Sequence, residues 1–336
     1  MNILLSSVGR RSYLVKYFKK VLDGRGQVIA TNTIADTTGM LAADKAIVVP
    51  CANSPEFIDN LLHICKENNV RLLCSLHDWE AIYIAPHKNL FAAEGVIVLV
   101  PEPSVLEACL DKYKSAHFAE SIDIVSPKCF IDISSALKAI SDKVVHYPLI
   151  LKPRWGQGSI HMIRVSRKTE LINAYELIHS KLKDEGLSYL AGSEIESQIL
   201  IQQYIDGSEY GVDIVNDLDG QFVACFVKQK LAMRSGETDK AITAYKPKIE
   251  KYAKLIAKAT RHPGIMDADF LESKDGRIYL LELNPRFGGG YPFTHAAGAN
   301  IPAALISWVQ DESPKEEWLK YVFGIKSIKD INTILA

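Results

Sequence analysis

The chain has 336 residues, 48% of them hydrophobic, enough to bury a core in each of two or three packed units. Its 39 lysines and arginines stand against 40 aspartates and glutamates, and the net charge of -1 excludes a broad basic surface for a nucleic-acid backbone or an anionic membrane. The six cysteines form no CxxC pair and have no histidine at zinc-ligand spacing, the apolar stretch at 3–5 is too short for a signal-peptide core, and no run nears the ~18 apolar residues of a membrane span. The expectation is a multidomain cytosolic protein with neither nucleic-acid nor membrane partners.

Residues Asn2–Ser6 read as a strand. The next segment places Tyr13, Leu14, Tyr17, Phe18, Val21 and Leu22 on one helical face before Asp23 and Gly24 stop it. Short apolar runs at 28–30, 46–49, 72–74 and 96–100, with a helical pattern over 56–67, predict a parallel sheet flanked by helices and a first domain ending near 101–103. A helix over 105–121 follows. Strands at 149–152 and 160–165 are joined by Pro153-Arg-Trp-Gly-Gln-Gly-Ser159, a hairpin with a glycine-containing flap. Strands at 199–204, 210–216 and 222–231, with a turn at 217–220 and a helix over 248–260, make the remainder α+β and largely antiparallel.

The most informative stretch runs from Gly264 to Arg286, where Asp275-Gly276 signals a two-residue hairpin turn. Pairing Lys274 with Arg277 and counting outward sets Asp269 opposite Glu282 and Asp267 opposite Asn284, all on one face. Carboxylates directly across a sheet repel unless a cation, a proton or a basic side chain fills the gap, and a hard divalent ion bound by oxygen fits best. From the hairpin alone, a solvated edge whose acids pair with lysines explains the pattern equally well. In the flap, glycines let backbone N–H groups approach phosphate oxygens, and Lys152 on the preceding strand is placed to neutralise them.

Lys112, Lys152, the flap, the strand ending at Ile205, Glu209 and the Glu282-Leu-Asn-Pro-Arg286 string follow the order and rough spacing of ATP-grasp enzymes. The chain most resembles the carbamoyl-phosphate-synthase-like single-chain carboxylate–amine ligases. The resemblance implies an α/β and α+β architecture: a Rossmann-like pre-ATP-grasp domain (1–103), a small lobe with the phosphate flap (104–196), a large lobe with the metal hairpin (197–312) and a C-terminal tail (313–336). It further implies that Lys112, Lys152, Gly156, Gly158 and Ser159 contact the ATP phosphates, that Gln202, Gln203, Tyr204 and Ile205 hold the adenine edge, and that Glu209 binds the ribose. Asp269, Glu282 and Asn284 hold Mg²⁺, or Mn²⁺ in its place.

Arg286 reaches the transferred phosphate or the substrate carboxylate, and Arg234 lies on a substrate-facing loop with Glu237. Gly9, Arg10, Asp78 and Glu80 of the first domain are implied substrate contacts, although Arg10 at a helix start also suits plain solvent exposure. The implied reaction activates a small-molecule carboxylate as an acyl phosphate and transfers it to an amine, with a homodimer compatible with the pattern. Bicarbonate as the acid is the alternative. A nicotinamide-dependent oxidoreductase is disfavoured, because Ser6-Ser-Val-Gly-Arg-Arg-Ser12 lacks the three-glycine fingerprint that pyrophosphate approach requires.

Overall fold

A computed structural model describes residues 1–156, 160–184, 195–331 and 334 of the chain. Gly158 and Ser159 of the expected phosphate flap lie outside the described residues.

The first unit is an all-parallel sheet in the order β3-β2-β1-β4-β5, built from β1 (Asn2–Ser6), β2 (Val28–Asn32), β3 (Lys45–Val48), β4 (Val70–Ser75) and β5 (Ile97–Val98). Both faces of the central strands are apolar and covered. Ile3 and Leu5 pack with Leu14, Val15 and Phe18 of the helix Ser12–Leu22, while Leu4 packs with Phe57 and Leu61 of the helix Phe57–Glu67. This agrees with the predicted α/β opening.

The expected helix over 105–121 is two helices, Pro103–Leu110 and Lys112–Ser121, broken at Asp111. Asp111 is extended at ψ 105 and its carboxylate accepts from the N–H groups of Tyr113 and Lys114, so a capping aspartate starts a second helix. Lys112 is thereby fixed in a first helical turn.

The second unit is a four-stranded antiparallel sheet, β6-β9-β7-β8, formed by β6 (Cys129–Phe130), β7 (Leu149–Pro153), β8 (Ile163–Val165) and β9 (Ile199–Gln203). Leu149 and Leu151 turn into the core under the helix Lys168–Asp184, so period-two alternation turns Lys152 to the opposite face.

The third unit is a six-stranded sheet, β14-β13-β10-β11-β12-β15. Its strands are β10 (Gly207–Asn216), β11 (Phe222–Arg234), β12 (Glu237–Thr243), β13 (Ile265–Ser273), β14 (Ile278–Asn284) and β15 (Lys326–Ile328). The segment over 313–336 thus supplies a strand to this sheet by pairing β15 with β12.

The β13–β14 hairpin departs from the expected two-residue turn. Ser273 pairs with Arg277 around the three-residue loop Lys274-Asp275-Gly276, in which Gly276 adopts a left-handed φ of 80°. A bulge between Asp269 and Phe270, taken up by Leu281 on the facing strand, adds the residue back. Asp269 therefore faces Glu282 and Asp267 faces Asn284, the expected pairs reached by a different route.

Candidate active site

Two adjoining cavities lie over the polar face of the six-stranded sheet. The first, about 300 Å³, runs from Arg10 and Arg11 past Lys228 to Arg286 and Gly289-Gly290, with Glu237 on its rim. The second, about 190 Å³, lies between Lys112, Lys152 and Gly156 on one side and Glu209, Leu281 and Glu282 on the other. Lys230, Asp269 and Glu282 belong to both walls.

The common wall follows from strand register. Gly211 of β10 lies between Lys228 of β11 and Asp269 of β13, so neighbouring strands present basic and acidic side chains to one face. Lys230 Nζ sits 2.6 Å from Glu209 Oε1 and 2.8 Å from Asp269 Oδ1. A Cβ on Gly211 would lie 3.4 Å from both lysine Cε atoms, so the glycine leaves room for two basic stems side by side. Burial, moderated by Lys230, pushes the Asp269 carboxyl up to about 7, and burial also raises Asp267.

Glu282 behaves oppositely. Burial disfavours its charge, yet Lys112, at 3.2 Å, and Lys152 together hold its carboxyl below the usual range. Burial and the charge of Lys112 push the Lys152 ammonium down. Asn284 donates to Asp267 Oδ2 at 3.3 Å, and its own oxygen accepts from Arg286 at 3.4 Å.

Arg286 is held by Asp78 at 2.8 Å, a buried ion pair that ties the loop after β14 to the N-terminal unit. Its Nε is buried without a partner among the described residues. Beneath it, Asp213 accepts from Lys228 at 2.7 Å and Thr294 at 2.5 Å. The loop over 288–290 passes so close that a Cβ on Gly288 would fall 2.3 Å from Asp267 Cγ, and one on Gly290 2.6 Å from Lys228 Cε.

The flap root is tied to the helix carrying Lys112. Arg154 donates from Nε and Nη2 to the two carboxylate oxygens of Asp111, both at 2.7 Å, and from Nη1 to the Ser197 carbonyl. The Lys112 N–H donates to the Arg154 carbonyl at 3.3 Å, and Lys112 Nζ donates to the Gly156 carbonyl at 2.5 Å. These contacts fix Lys112 and the segment from Arg154 to Gly156 relative to one another.

Lys112, Lys152, Gly156, Glu209, Asp269, Glu282, Asn284, Arg286, Arg10 and Glu237 are thus brought to the cavities. Others are not. Arg234 is turned outward to Asp239 at 3.0 Å because the β11–β12 pairing slips at Leu231 and again at Asp239, so Met233 rather than Arg234 faces the cavity. Glu80 is buried beneath the first domain, accepting from Ser6, Ser7 and Ser75, and reaches no cavity wall. Gly9 accepts from the Gly39 N–H and serves the backbone turn.

Asp78 is engaged by Arg286. Gln202 donates to Cys129 Sγ, Gln203 joins Lys128 through its main chain and side chain, and Tyr204 lies under the Arg164 guanidinium at 4.2 Å. Arg11, Lys228 and Asp213 escaped the sequence-based site. The signal for the lysine was present, since Lys228 and Lys230 alternate in step with Glu209, Gly211 and Asp213 on the neighbouring strand.

Comparison with known proteins agrees with this arrangement. The profile of the family described as "PylC-like, N-terminal domain" matches residues 3–99, and that described as "ATP-grasp in the biosynthetic pathway with Ter operon" matches residues 196–331. The arginine-specific large chain of carbamoyl phosphate synthase from Geobacillus stearothermophilus is 26% identical over 221 residues, 63% of this chain and 20% of that one. Acetyl-CoA carboxylase 2 of Oryza sativa subsp. japonica is 23% identical over 248 residues, 65% of this chain and 10% of that one, so the chain spans a small fraction of these relatives.

Among solved structures, the biotin carboxylase domain of Hydrogenobacter thermophilus 2-oxoglutarate carboxylase, a dimer holding MgADP and bicarbonate, superimposes with a TM-score of 0.72 at 17% identity. The match covers 95% of this chain and 72% of that one. N5-carboxyaminoimidazole synthetase of Staphylococcus aureus gives 0.68 at 14% identity over 94% and 78%. Residues 196–331 thus resemble an ATP-grasp family by profile, and the solved neighbours have the same fold. Ahead of that stretch, residues 3–99 resemble the PylC-like N-terminal domain.

Proposed function

We propose that the chain is an ATP- and Mg²⁺-dependent ligase that phosphorylates a small organic carboxylate and transfers its acyl group to an amine. The observation that carries this reading is the common wall: a phosphoryl group leaving the second cavity at Lys230 and Glu282 enters the first, where Arg286 and Arg11 await an anion. Lys112, Lys152 and Gly156 contact the nucleotide phosphates, with Gly158 and Ser159 closing over them. Glu209 takes the ribose hydroxyls, and the chain at Gln202–Gln203–Tyr204–Ile205 offers main-chain groups to adenine, since the two glutamine side chains are engaged elsewhere.

The donor set fits magnesium. Asp269 and Glu282 are directly opposed, Asn284 adds an amide oxygen, and basic side chains already crowd both carboxylates. Among the described residues no group of three His, Cys, Asp or Glu side chains is placed to hold a metal ion by itself. Magnesium, and Mn²⁺ in its place, keeps waters and takes phosphate oxygens as further ligands, so it needs only one or two carboxylates from the protein. Bound there, the metal would neutralise phosphate charge. MgADP in the Hydrogenobacter neighbour supports the assignment.

In the proposed reaction a substrate carboxylate oxygen attacks the γ-phosphorus, the bond to the β-phosphate oxygen breaks, and ADP departs with its electron pair. The amine nitrogen then attacks the acyl carbon, phosphate leaves with the acyl C–O electrons, and the nitrogen loses a proton. Arg286, oriented by Asp78, stabilises charge on the transferring group and on the tetrahedral oxyanion. Six free cysteines suit the reducing cytosol proposed for it. A homodimer belongs to the same proposal.

A second reading, phosphorylation of bicarbonate, is favoured by the names of the curated relatives and the bicarbonate in the same neighbour. A 300 Å³ cavity with several basic side chains exceeds what so small an anion needs. The test is ADP release from MgATP across a panel of acids, with hydroxylamine as the amine. Acid-dependent ADP and hydroxamate are expected; AMP with pyrophosphate excludes the acyl-phosphate route, and turnover with bicarbonate alone establishes the second reading.

A further inference from the structure

Resting on the ligase reading, we propose that the activated acid carries a second anionic group, and that Arg11 is the residue that binds it. Five basic side chains line the first cavity: Arg10, Arg11, Lys228, Lys230 and Arg286. Four have a carboxylate within reach: Arg10 with Glu237 at 3.7 Å, Lys228 with Asp213 at 2.7 Å, Lys230 with Asp269 at 2.8 Å and Arg286 with Asp78 at 2.8 Å. Arg11 has no ion pair among the described residues.

Its anchoring leaves capacity to spare. Arg11 Nη1 donates to the Leu76 carbonyl at 2.7 Å, which uses one of five N–H donors, and its side chain bonds Tyr13. Burial, and then the nearby charge of Arg286, lower its pKa from the ordinary value, against the opposing pull of Tyr13, Asp78 and Glu237. Asp78 and Glu237 act on it only from beyond ion-pair distance, Asp78 being paired with Arg286 at 2.8 Å and Glu237 with Arg10 and with Lys329 at 3.2 Å.

Position separates the roles of the two guanidinium groups. The reacting carboxyl belongs at the wall common to both cavities, where Lys230, Asp269 and Glu282 stand and where the strand leading to Arg286 begins its exit. Arg11 lines the first cavity only and comes from the loop before the helix Ser12–Leu22. An acid with its reacting carboxyl at the common wall therefore meets Arg11 through another group. A second carboxylate matches the planar, forked donor.

The test uses the full-length chain with MgATP, hydroxylamine and acids matched in chain length: succinate against butyrate, and glutarate against valerate. Wild type is expected to favour the two-carboxylate member by about tenfold or more in kcat/KM. Arg11→Met should bring that ratio close to one by raising KM for the dianion while leaving KM for ATP unchanged, and Arg11→Lys should restore part of it. Hydroxamate formed equally well from both members of each pair overturns the proposal and leaves the ligase reading standing. So does an Arg11→Met enzyme that keeps the preference and only melts earlier, which would make Arg11 a brace for Leu76. No hydroxamate from any acid, with ATP turnover dependent on bicarbonate, removes the ligase reading and this inference with it.

Discussion

The two cavities have a wall in common but are built by different means. In the second, Lys152, Glu209, Asp269 and Glu282 each stand on a strand, so the alternation of the sheet fixes where each points. In the first, strand residues are joined by loops of separate units: Arg10 and Arg11 after β1, and Gly289 and Gly290 after β14. Strand-borne groups serve a common cosubstrate from a rigid frame, whereas loop-borne groups leave the acid-binding end free to vary without disturbing it.

The largest expected effect strikes the common wall. Glu282→Gln with Asn284→Ala should cut metal-dependent ADP release by on the order of a thousandfold with the far-ultraviolet circular dichroism unchanged; retained turnover would show that the metal lies elsewhere. Next comes a change confined to the nucleotide end. Asp111→Asn keeps the helix cap but leaves Arg154 without its counter-charge, and should raise KM for ATP about tenfold while KM for the acid stays level.

The converse belongs to the acid end. Gly290→Ala drives a methyl into a Lys228 side chain already locked by Asp213 and Thr294, and should raise KM for the acid about fivefold with ATP affinity preserved. If either variant moved both constants together, the two cavities would not be separable units. The smallest effect is expected from Arg234→Ala, within about twofold in kcat/KM, because its exposed side chain meets Asp239 outside both cavities.

What was legible in the sequence follows the same division. The parallel opening sheet could be read from short apolar runs separated by helical periodicity, and the facing of Asp269 with Glu282 from alternation around a turn. The outward turn of Arg234 was not legible because a bulge at Leu231 shifts the face that each later residue of β11 presents, and a bulge has no reliable sequence signature when no glycine marks it. Glu80 looked like a cavity acid, but three serines from two strands and the loop after β1 satisfy it in the interior. Arg11 and Arg10 are indistinguishable as neighbours in sequence; only the packing of the first turn sends one towards Leu76 and leaves the other to solvent.

The bulge at Leu281 makes the hairpin a two-part device. Between the bulge and the loop at 274–276 the strands pair one step out of phase with the segment bearing Asp269 and Glu282. The acidic segment consequently does not inherit its alignment from the loop alone. Reshaping the solvent-facing tip, by graft or by drift over generations, can proceed while the ligand-bearing end keeps its spacing, provided that the extra residue is retained. Deleting Leu281 would transmit any change at the tip directly into the chemistry.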